Sequence, residues 1–180
     1  SRLAATTGTG GMFVANTGDL AIDAITGMDG ATITGATVTA GGDLKITSTG
    51  SLTAQQAVSN SAGGNVLLAS NGTTAANDLT LNANVSSTGG NGNVTLAAGD
   101  TLTIAAGISA SAAGTGTVSA LAGENLADSE TVFNQDGNAS GDLTMGLGSS
   151  ITSQDGNVLA DARRNAVIDT INANSNADAI

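Results

Sequence analysis

The chain has 180 residues, of which 26 are Gly and two are Phe, and it contains no Trp, Tyr, Cys, His or Pro. Without His or Cys it lacks the commonest general base, the thiol nucleophile and the usual ligands of zinc and copper. The net charge is −11, so we expect the protein neither to bind nucleic acid nor to insert into anionic membranes, because both carry charge of the same sign.

No apolar run approaches the ~18 residues that a membrane-spanning helix needs. The chain begins at Ser1 without a signal peptide, so we expect a processed product or a piece of a longer protein. Low aromatic content with abundant small and polar residues is also compatible with disorder. The regular placement of the apolar residues argues against disorder.

Short apolar segments recur along the chain in a constant order, which indicates a repeat. Six units begin near residues 11, 30, 64, 92, 116 and 156. In chain order, the segments of the units contain these apolar residues: Phe13, Leu20/Ile22 and Ile25; Ile33, Leu44/Ile46 and Leu52; Val66/Leu68, Leu79/Leu81 and Val85; Val94/Leu96, Leu102/Ile104 and Ile108; Val118, Leu143/Met145 and Ile151; Val158, Ala166/Ile168 and Ile171. Because the units differ in length, we expect insertions in surface turns, the longest of them at residues 122–140.

Each segment alternates apolar with small or polar residues, as in DLTLNA, and this period of two predicts a strand with one buried face. Three short strands in each unit predict an all-β protein, a right-handed parallel β-helix (β-solenoid) of about six turns over residues 1–180. Turns stacked at ~4.8 Å would form a rod roughly 29 Å long, with a bore too narrow to need aromatic side chains. Residues 161–180 could also form a helix, but NAVID (165–169) matches the second strand of the repeat.

The stretches GGMFVANTGDLAI (10–22) and DLTLNANVSSTGGNGNVTLAAGDTLTIAAG (78–107) resemble the repeats of filamentous-haemagglutinin-type exoproteins. These are large adhesins that bacterial two-partner secretion systems export. The resemblance extends from about Gly10 over nearly the whole chain, and it implies a shaft segment of an extracellular fibre on a Gram-negative cell surface. The secretion domain of that family has no counterpart in this sequence.

Acidic residues precede the second strand of most units, and we expect them to stack. They are Asp19, Asp43, Asp78 and Asp142, with Asn165 in the last unit and Asp100 one place further upstream in its own. Carboxylates ~4.8 Å apart repel one another, so each needs compensation. The favoured interpretation is that each Asp accepts hydrogen bonds from the backbone of its own turn, and the alternative is a row of bound cations.

Threonines at outward positions of the second strand are also expected to stack from turn to turn in a row, called a file below. These are Thr80, Thr103 and Thr144 in three successive units. Flat threonine ladders occur in ice-binding solenoids. Because Ala21, Lys45 and Val167 interrupt this file, the sequence favours simple cross-strand packing of the threonines.

The insertion at 122–140 is acidic, and we predict that Glu124, Asp128, Glu130 and Asp136 form an interaction loop. Its stretch NQDGNASGD (134–142) has an oxygen-bearing side chain at every second position, which is typical of a calcium loop. However, the glycines are misplaced for the helix–loop–helix type, and Met145 stands where the closing Glu would be. We therefore predict no metal and no cofactor, with Ca²⁺ as the alternative.

Arg163 and Arg164 provide half of the positive charge of the chain, and the sequence favours an ordinary solvated pair. The alternative is that they contact carboxylates of a neighbouring subunit.

Three functions follow from this pattern. The first is a structural, non-catalytic segment of an extracellular fibre or stalk that assembles end to end with further copies or continues into further repeats. The second is an adhesin module that binds a glycan or protein of a host or neighbouring cell through a loop-decorated face. The third, a polysaccharide-active β-helix enzyme, is disfavoured because the chain lacks the basic and aromatic residues that such enzymes combine with their acids. We therefore expect no enzymatic activity.

Overall fold

The computed structural model describes residues 1–126 and 136–174, and over these residues the chain forms 22 short strands. Most of them belong to three parallel sheets, here named A, B and C. Sheet A contains β1 (Arg2–Leu3), β4 (Leu20–Ile22), β9 (Leu52–Ala54), β12 (Leu79–Leu81), β15 (Leu102–Ile104), β18 (Leu143–Met145) and β21 (Ala166–Val167). Sheet B contains β2 (Ala5–Thr7), β7 (Ala36–Val38), β10 (Val58–Asn60), β13 (Val85–Ser87), β16 (Ser109–Ala112), β19 (Ser150–Ser153) and β22 (Thr170–Ala173). Sheet C contains β3 (Met12–Asn16), β8 (Leu44–Ser48), β11 (Val66–Ser70), β14 (Val94–Ala98), β17 (Val118–Ala122) and β20 (Val158–Ala162). The remaining two strands, β5 (Ala24–Thr26) and β6 (Thr32–Thr34), form an antiparallel hairpin.

The chain passes through the sheets in the order C, A, B, and each passage is one turn of a coil. Strands of successive turns pair in parallel and in register, as β11 does with β14 and β12 with β15. Six complete turns follow the partial turn of β1 and β2. The predicted all-β parallel solenoid with three short strands in each turn is confirmed. Within the described ranges, no helix is long and apolar enough to cross a membrane.

The hydrophobic core fills the inside of the coil. The three-residue strands of sheet A bury their first and third residues and direct the middle one outward, as in β12 and β15. A one-residue slip would expose every buried residue of a strand, so the alternation determines the register. The described part of the core contains only Met, Leu, Ile, Val and Ala, as expected for a narrow bore.

Glycines stack at the corner that leads into sheet C. A Cβ atom on Gly64, Gly92 or Gly116 would lie 2.1, 2.1 or 2.2 Å, respectively, from the carbonyl oxygen of the glycine one turn earlier. Successive turns therefore approach too closely at this corner for any side chain. The glycine that begins these units is a packing requirement of the coil.

The first two predicted units are divided differently in the structure. Ile25 and Ile33, predicted to lie in strands of the coil, pair with each other in the hairpin inserted between β4 and β7. Leu44 begins the next turn in sheet C rather than sheet A, so that turn starts near residue 42 and not near 30. Phe13 faces outward, while Met12 and Val14 on either side contact the core. A hairpin has the same period of two as the coil, so the apolar pattern alone does not separate them.

Candidate functional surfaces

At the position before each strand of sheet A, Asp alternates with other polar residues in successive turns. In successive turns, the residue before the strand is Asp19, Ser51, Asp78, Thr101, Asp142 and Asn165. Asp43 is not a member, because it precedes a strand of sheet C. Carboxylates in this file are therefore separated by a full intervening turn, about twice the ~4.8 Å strand spacing, and the predicted unbroken acidic column is wrong.

Each Asp of this file accepts a hydrogen bond from the backbone of the next turn. Asp19 Oδ1 lies 2.9 Å from the amide nitrogen of Ser51, and Asp78 Oδ1 lies 3.1 Å from that of Thr101. Asp142 Oδ1 is likewise 3.1 Å from the amide nitrogen of Asn165. The predicted backbone role is thus present, but the bonds join one turn to the next rather than close the Asp's own turn.

Sheet C has a similar ladder at its own corner. Asp43 Oδ1 accepts from the amide of Asn65 at 2.8 Å, and Asn65 Oδ1 accepts from the amide of Asn93 at 2.9 Å. Asn93 Oδ1 continues the ladder to the amide of Thr117 at 2.8 Å. These bonds satisfy backbone donors where the sheets bend, which accounts for the frequent Asp and Asn at turns. In the described ranges, no group of three or more acidic side chains is arranged to hold a metal ion.

Two carboxylates of the sheet A file have shifted pKa values. Hydrogen bonding to the Arg164 guanidinium, with help from its charge, lowers the pKa of Asp142 from 3.8 to about 2. Burial raises the pKa of Asp78, and the Asp100 charge adds to the increase, although the hydrogen bond from Thr101 opposes it. Asp142 is therefore held ionised, whereas ionised Asp78 is destabilised by its surroundings.

Hydroxyl files cover the outer faces of sheets A and B. In sheet A, Thr80, Thr103 and Thr144 are neighbours as predicted, and Thr53 extends the file by one turn. Lys45 does not interrupt the file, because it belongs to sheet C. The outward file of sheet B consists of Thr6, Thr37, Ser59, Ser86, Ser111 and Thr152.

The start of the acidic insertion packs against the outer face of sheet C. Leu126 contacts a second apolar cluster that consists of Ala69, Ala97 and Leu121, all buried on the outside of the sheet. The sequence indicates this cluster, because VLLAS, VTLAA and VSALA have apolar residues on both faces of the strand. The prediction of the repeat considered only the inward face. Strands of that kind are typical of sheets covered on two sides.

Of the four acidic residues predicted to form an interaction loop, the structure describes Glu124 and Asp136. Glu124 is only 1% exposed, so its place on an outer acidic surface is wrong. Asp136 is half-buried, and its Oδ1 accepts from the amide of Asn125 at 3.0 Å. Asp128 and Glu130 lie outside the described residues.

Both arginines of the last turn make contacts within the chain. Arg164 forms a bidentate ion pair with Asp142, with Nη2–Oδ2 and Nε–Oδ1 distances of 2.5 and 2.8 Å. Arg163 donates from Nη1 to the carbonyl oxygen of Gly137. The two arginines therefore link the sixth turn to the fifth turn and its insertion, and a contact with a neighbouring subunit stays a prediction.

A groove lies on the outer face of sheet C next to the first complete turn. Its volume is about 310 Å³, and Phe13, Val14, Ala15, Lys45 and Thr47 line it. Sequence reasoning missed it because it treated Phe13 as a core residue and Lys45 as a residue of sheet A.

The sixth turn exposes residues of the kind that earlier turns bury. Ile171 pairs in register with Ile151, yet Ile171 is 42% exposed and Ile151 is 0% exposed. Each strand of this turn is the last of its sheet over the described residues. Over residues 136–174, the last turn therefore combines an apolar surface with backbone donors and acceptors that no further described strand pairs.

No family model matches the chain, and neither a curated protein nor a solved structure matches it.

Proposed function

We propose that the chain is a structural, non-catalytic segment of a bacterial extracellular fibre or adhesin stalk. The observation that supports this most directly is the sixth turn, where Ile171 is exposed and each strand is the last described strand of its sheet. One further turn in the same register would bury Ile171 as the sixth turn buries Ile151. That turn comes either from a second copy stacked end to end or from further repeats of a longer chain.

The repeat suits a role in which length and stiffness are the function. Each turn adds ~4.8 Å of rod and contacts only its neighbours. The Asp and Asn ladders join adjacent turns at two of the three corners, so bending the rod would strain these bonds. End-to-end contact between different surfaces does not close on itself, and it therefore produces an open filament.

The resemblance of the repeats to filamentous-haemagglutinin-type exoproteins motivates the proposed location outside a bacterial cell. The alternative role, an adhesin module that binds through the insertion, depends on Asp128 and Glu130, which lie outside the described residues. Enzymatic activity is not part of the proposal. The turn carboxylates Asp19, Asp78 and Asp142 have structural partners that suffice to explain them.

The test compares two substitutions on the sixth turn. Ile171→Asp places a charge on the inward file, where a stacked turn would desolvate it, whereas Val167→Asp places the same charge on the outer face, in register with Thr144. We expect electron microscopy of the wild type to show rods that lengthen with concentration. Ile171→Asp should shorten them and Val167→Asp should not. Equal lengths for both variants would contradict stacking through this end.

A tandem fusion of two copies tests the branch in which the chain continues into further repeats. If the second copy docks on the sixth turn of the first, the fusion should melt at a higher temperature than the single chain, because an inter-repeat interface is added. A fusion that melts at the temperature of the single chain, together with wild-type rods of constant length, would overturn the proposal as a whole.

A further inference from the structure

Lys45 differs from the other three cationic side chains of this acidic protein. Arg2 forms an ion pair with Asp23 at 2.9 Å, and Arg163 and Arg164 have the intramolecular partners described above. Lys45 is exposed, and over the described residues it makes no hydrogen bond or ion pair. Within residues 1–126 and 136–174, the ammonium group of Lys45 is therefore available for a ligand.

Lys45 has an exposed aromatic residue as its neighbour across the sheet. Phe13 pairs in register with Lys45 on adjacent strands, both side chains face outward, and Phe13 is 67% exposed. They line the 310 Å³ groove together with Val14, Ala15 and Thr47. The groove therefore combines a ring, a cation, a hydroxyl group and a small apolar floor.

The groove lies on the outer face of sheet C, the same face on which Leu126 packs further along the coil. Thr47 and Ala69 are neighbours in the outward file of sheet C, and that file leads on to Ala97 and Leu121. There Leu126 covers it, which shows that this face of the sheet accepts an apolar group from outside the coil. Over the first two complete turns, no described residue from outside the coil packs on the same face.

The chemistry of the groove selects among ligands. A long polyanion would meet the repulsion of a net charge of −11, so a single acidic group fits better. Because the groove is open, the outer side of the ligand stays in water, which disfavours an aliphatic acid. A sugar acid meets both conditions, since a pyranose ring has a C–H face for stacking on an aromatic ring and hydroxyl groups that remain hydrated.

We infer that the groove formed by Phe13 and Lys45 binds one carboxylated sugar residue of the hexuronate type. The apolar face of the sugar lies on the Phe13 ring, and the carboxylate pairs with the Lys45 ammonium. This inference goes beyond the structural role proposed above and does not depend on it, because the groove lies on the side of the coil and not at its end.

The experiment is a titration of the ¹⁵N,¹³C-labelled full chain followed by NMR, with methyl glucuronoside as the probe. Methyl glucoside lacks the carboxylate and acetate lacks the ring, so the three probes separate the two contributions. We expect saturable shifts at Val14, Ala15 and Thr47 with the glucuronoside, and weaker binding of both other probes. The same titration at high salt should weaken glucuronoside binding, because the ion pair is exposed and screened.

Variants assign the effect to the two side chains. Lys45→Gln should reduce the affinity for the glucuronoside about two- to fivefold, the range expected for an exposed ion pair, and high salt should no longer weaken binding to this variant. Phe13→Ala should weaken binding of both sugars. Thr95→Ala, a change on the same outer face two turns away from Lys45, should leave binding unchanged.

Several results would overturn the inference. Equal binding of acetate and glucuronoside would mean a simple anion contact, and unsaturated shifts spread over the surface would mean no site. Preference for an acidic peptide over the sugar would point to a protein partner instead. The end-to-end proposal is unaffected by any of these results, since its test depends on Ile171 and rod length.

Discussion

Replacement of Gly92 by Ala tests the close stacking of turns at the corner before sheet C. The new Cβ atom would lie 2.1 Å from the carbonyl oxygen of Gly64 and 2.5 Å from Ser87 Oγ. The first contact is with backbone, which cannot move without displacing the paired strands β11 and β14. The substitution would also disturb the 2.8 Å hydrogen bond from Ser87 Oγ to the Gly64 carbonyl.

These contacts define the magnitude of the effect. Overpacking of a tight site costs about 1–3 kcal/mol, and loss of a buried hydrogen bond adds about 0.5–1.5 kcal/mol. We therefore expect Gly92→Ala to lower the free energy of unfolding by about 2–4 kcal/mol. Urea denaturation followed by circular dichroism measures this difference.

Gly8→Ala is the matched control for Gly92→Ala. A Cβ atom at Gly8 would meet nothing within 4 Å, and its φ lies outside the left-handed region. The same chemical change should therefore be neutral there, or stabilise by up to about 1 kcal/mol by restricting the unfolded chain. If the two variants differ by less than about 0.5 kcal/mol, close approach of the turns is not the reason for glycine at position 92.

Three further predictions concern the polar files. The pKa of Asp142 is lowered to about 2, so its pairing with Arg164 stabilises the fold above the unfolded pKa near 3.8, and this contribution disappears as the pH falls towards 2. In Arg164→Gln the midpoint of urea denaturation should therefore fall less steeply with pH over this range. The same steepness in variant and wild type would contradict the linkage. Burial raises the pKa of Asp78, so the ionised group opposes folding at pH 7. Asp78→Asn should therefore stabilise the protein at pH 7 while keeping an acceptor for the Thr101 amide, as Asn93 does for Thr117 in sheet C. The gain should shrink as the pH falls through the raised pKa and be lost below the unfolded pKa near 3.8, and a variant that is destabilised at pH 7 would contradict the argument. Calcium at millimolar concentration should leave the melting temperature unchanged, and a rise that chelator reverses would show that the polar loops bind the ion.

The coil was predictable because its signals are local. Period two identifies strands from a few residues, and a glycine followed by Asn before a valine marks the start of the units at 64, 92 and 156. Each turn has the same alternation of inward-facing and outward-facing residues, so a strand assigned wrongly in one unit does not change the assignment of strands in later units. The division failed in the first two units because the hairpin containing Ile25 and Ile33 has the same local pattern as a turn.

The surfaces were less predictable because they depend on which residues become neighbours across turns. Asp19 and Asp43 have equivalent sequence contexts, but the inserted hairpin shifts the division of the chain and places them at different corners. The partner of Arg164 lies 22 positions away in the chain, and only stacking of the fifth and sixth turns brings Asp142 to it. The burial of Glu124 likewise depends on contact between turns, since its amide donates to the carbonyl oxygen of Ala98 in the preceding turn.

Strand type, the three-strand turn and the apolar bore were predictable from local sequence, since these follow from side-chain alternation and from the need to bury one face of every strand. Tertiary structure decided the register of the first turns, the alternation of acidic and neutral residues along sheet A, and the placement of Phe13 next to Lys45. The physical reason is that a parallel coil brings together residues about 20 to 40 positions apart, and the lengths of its insertions decide which ones.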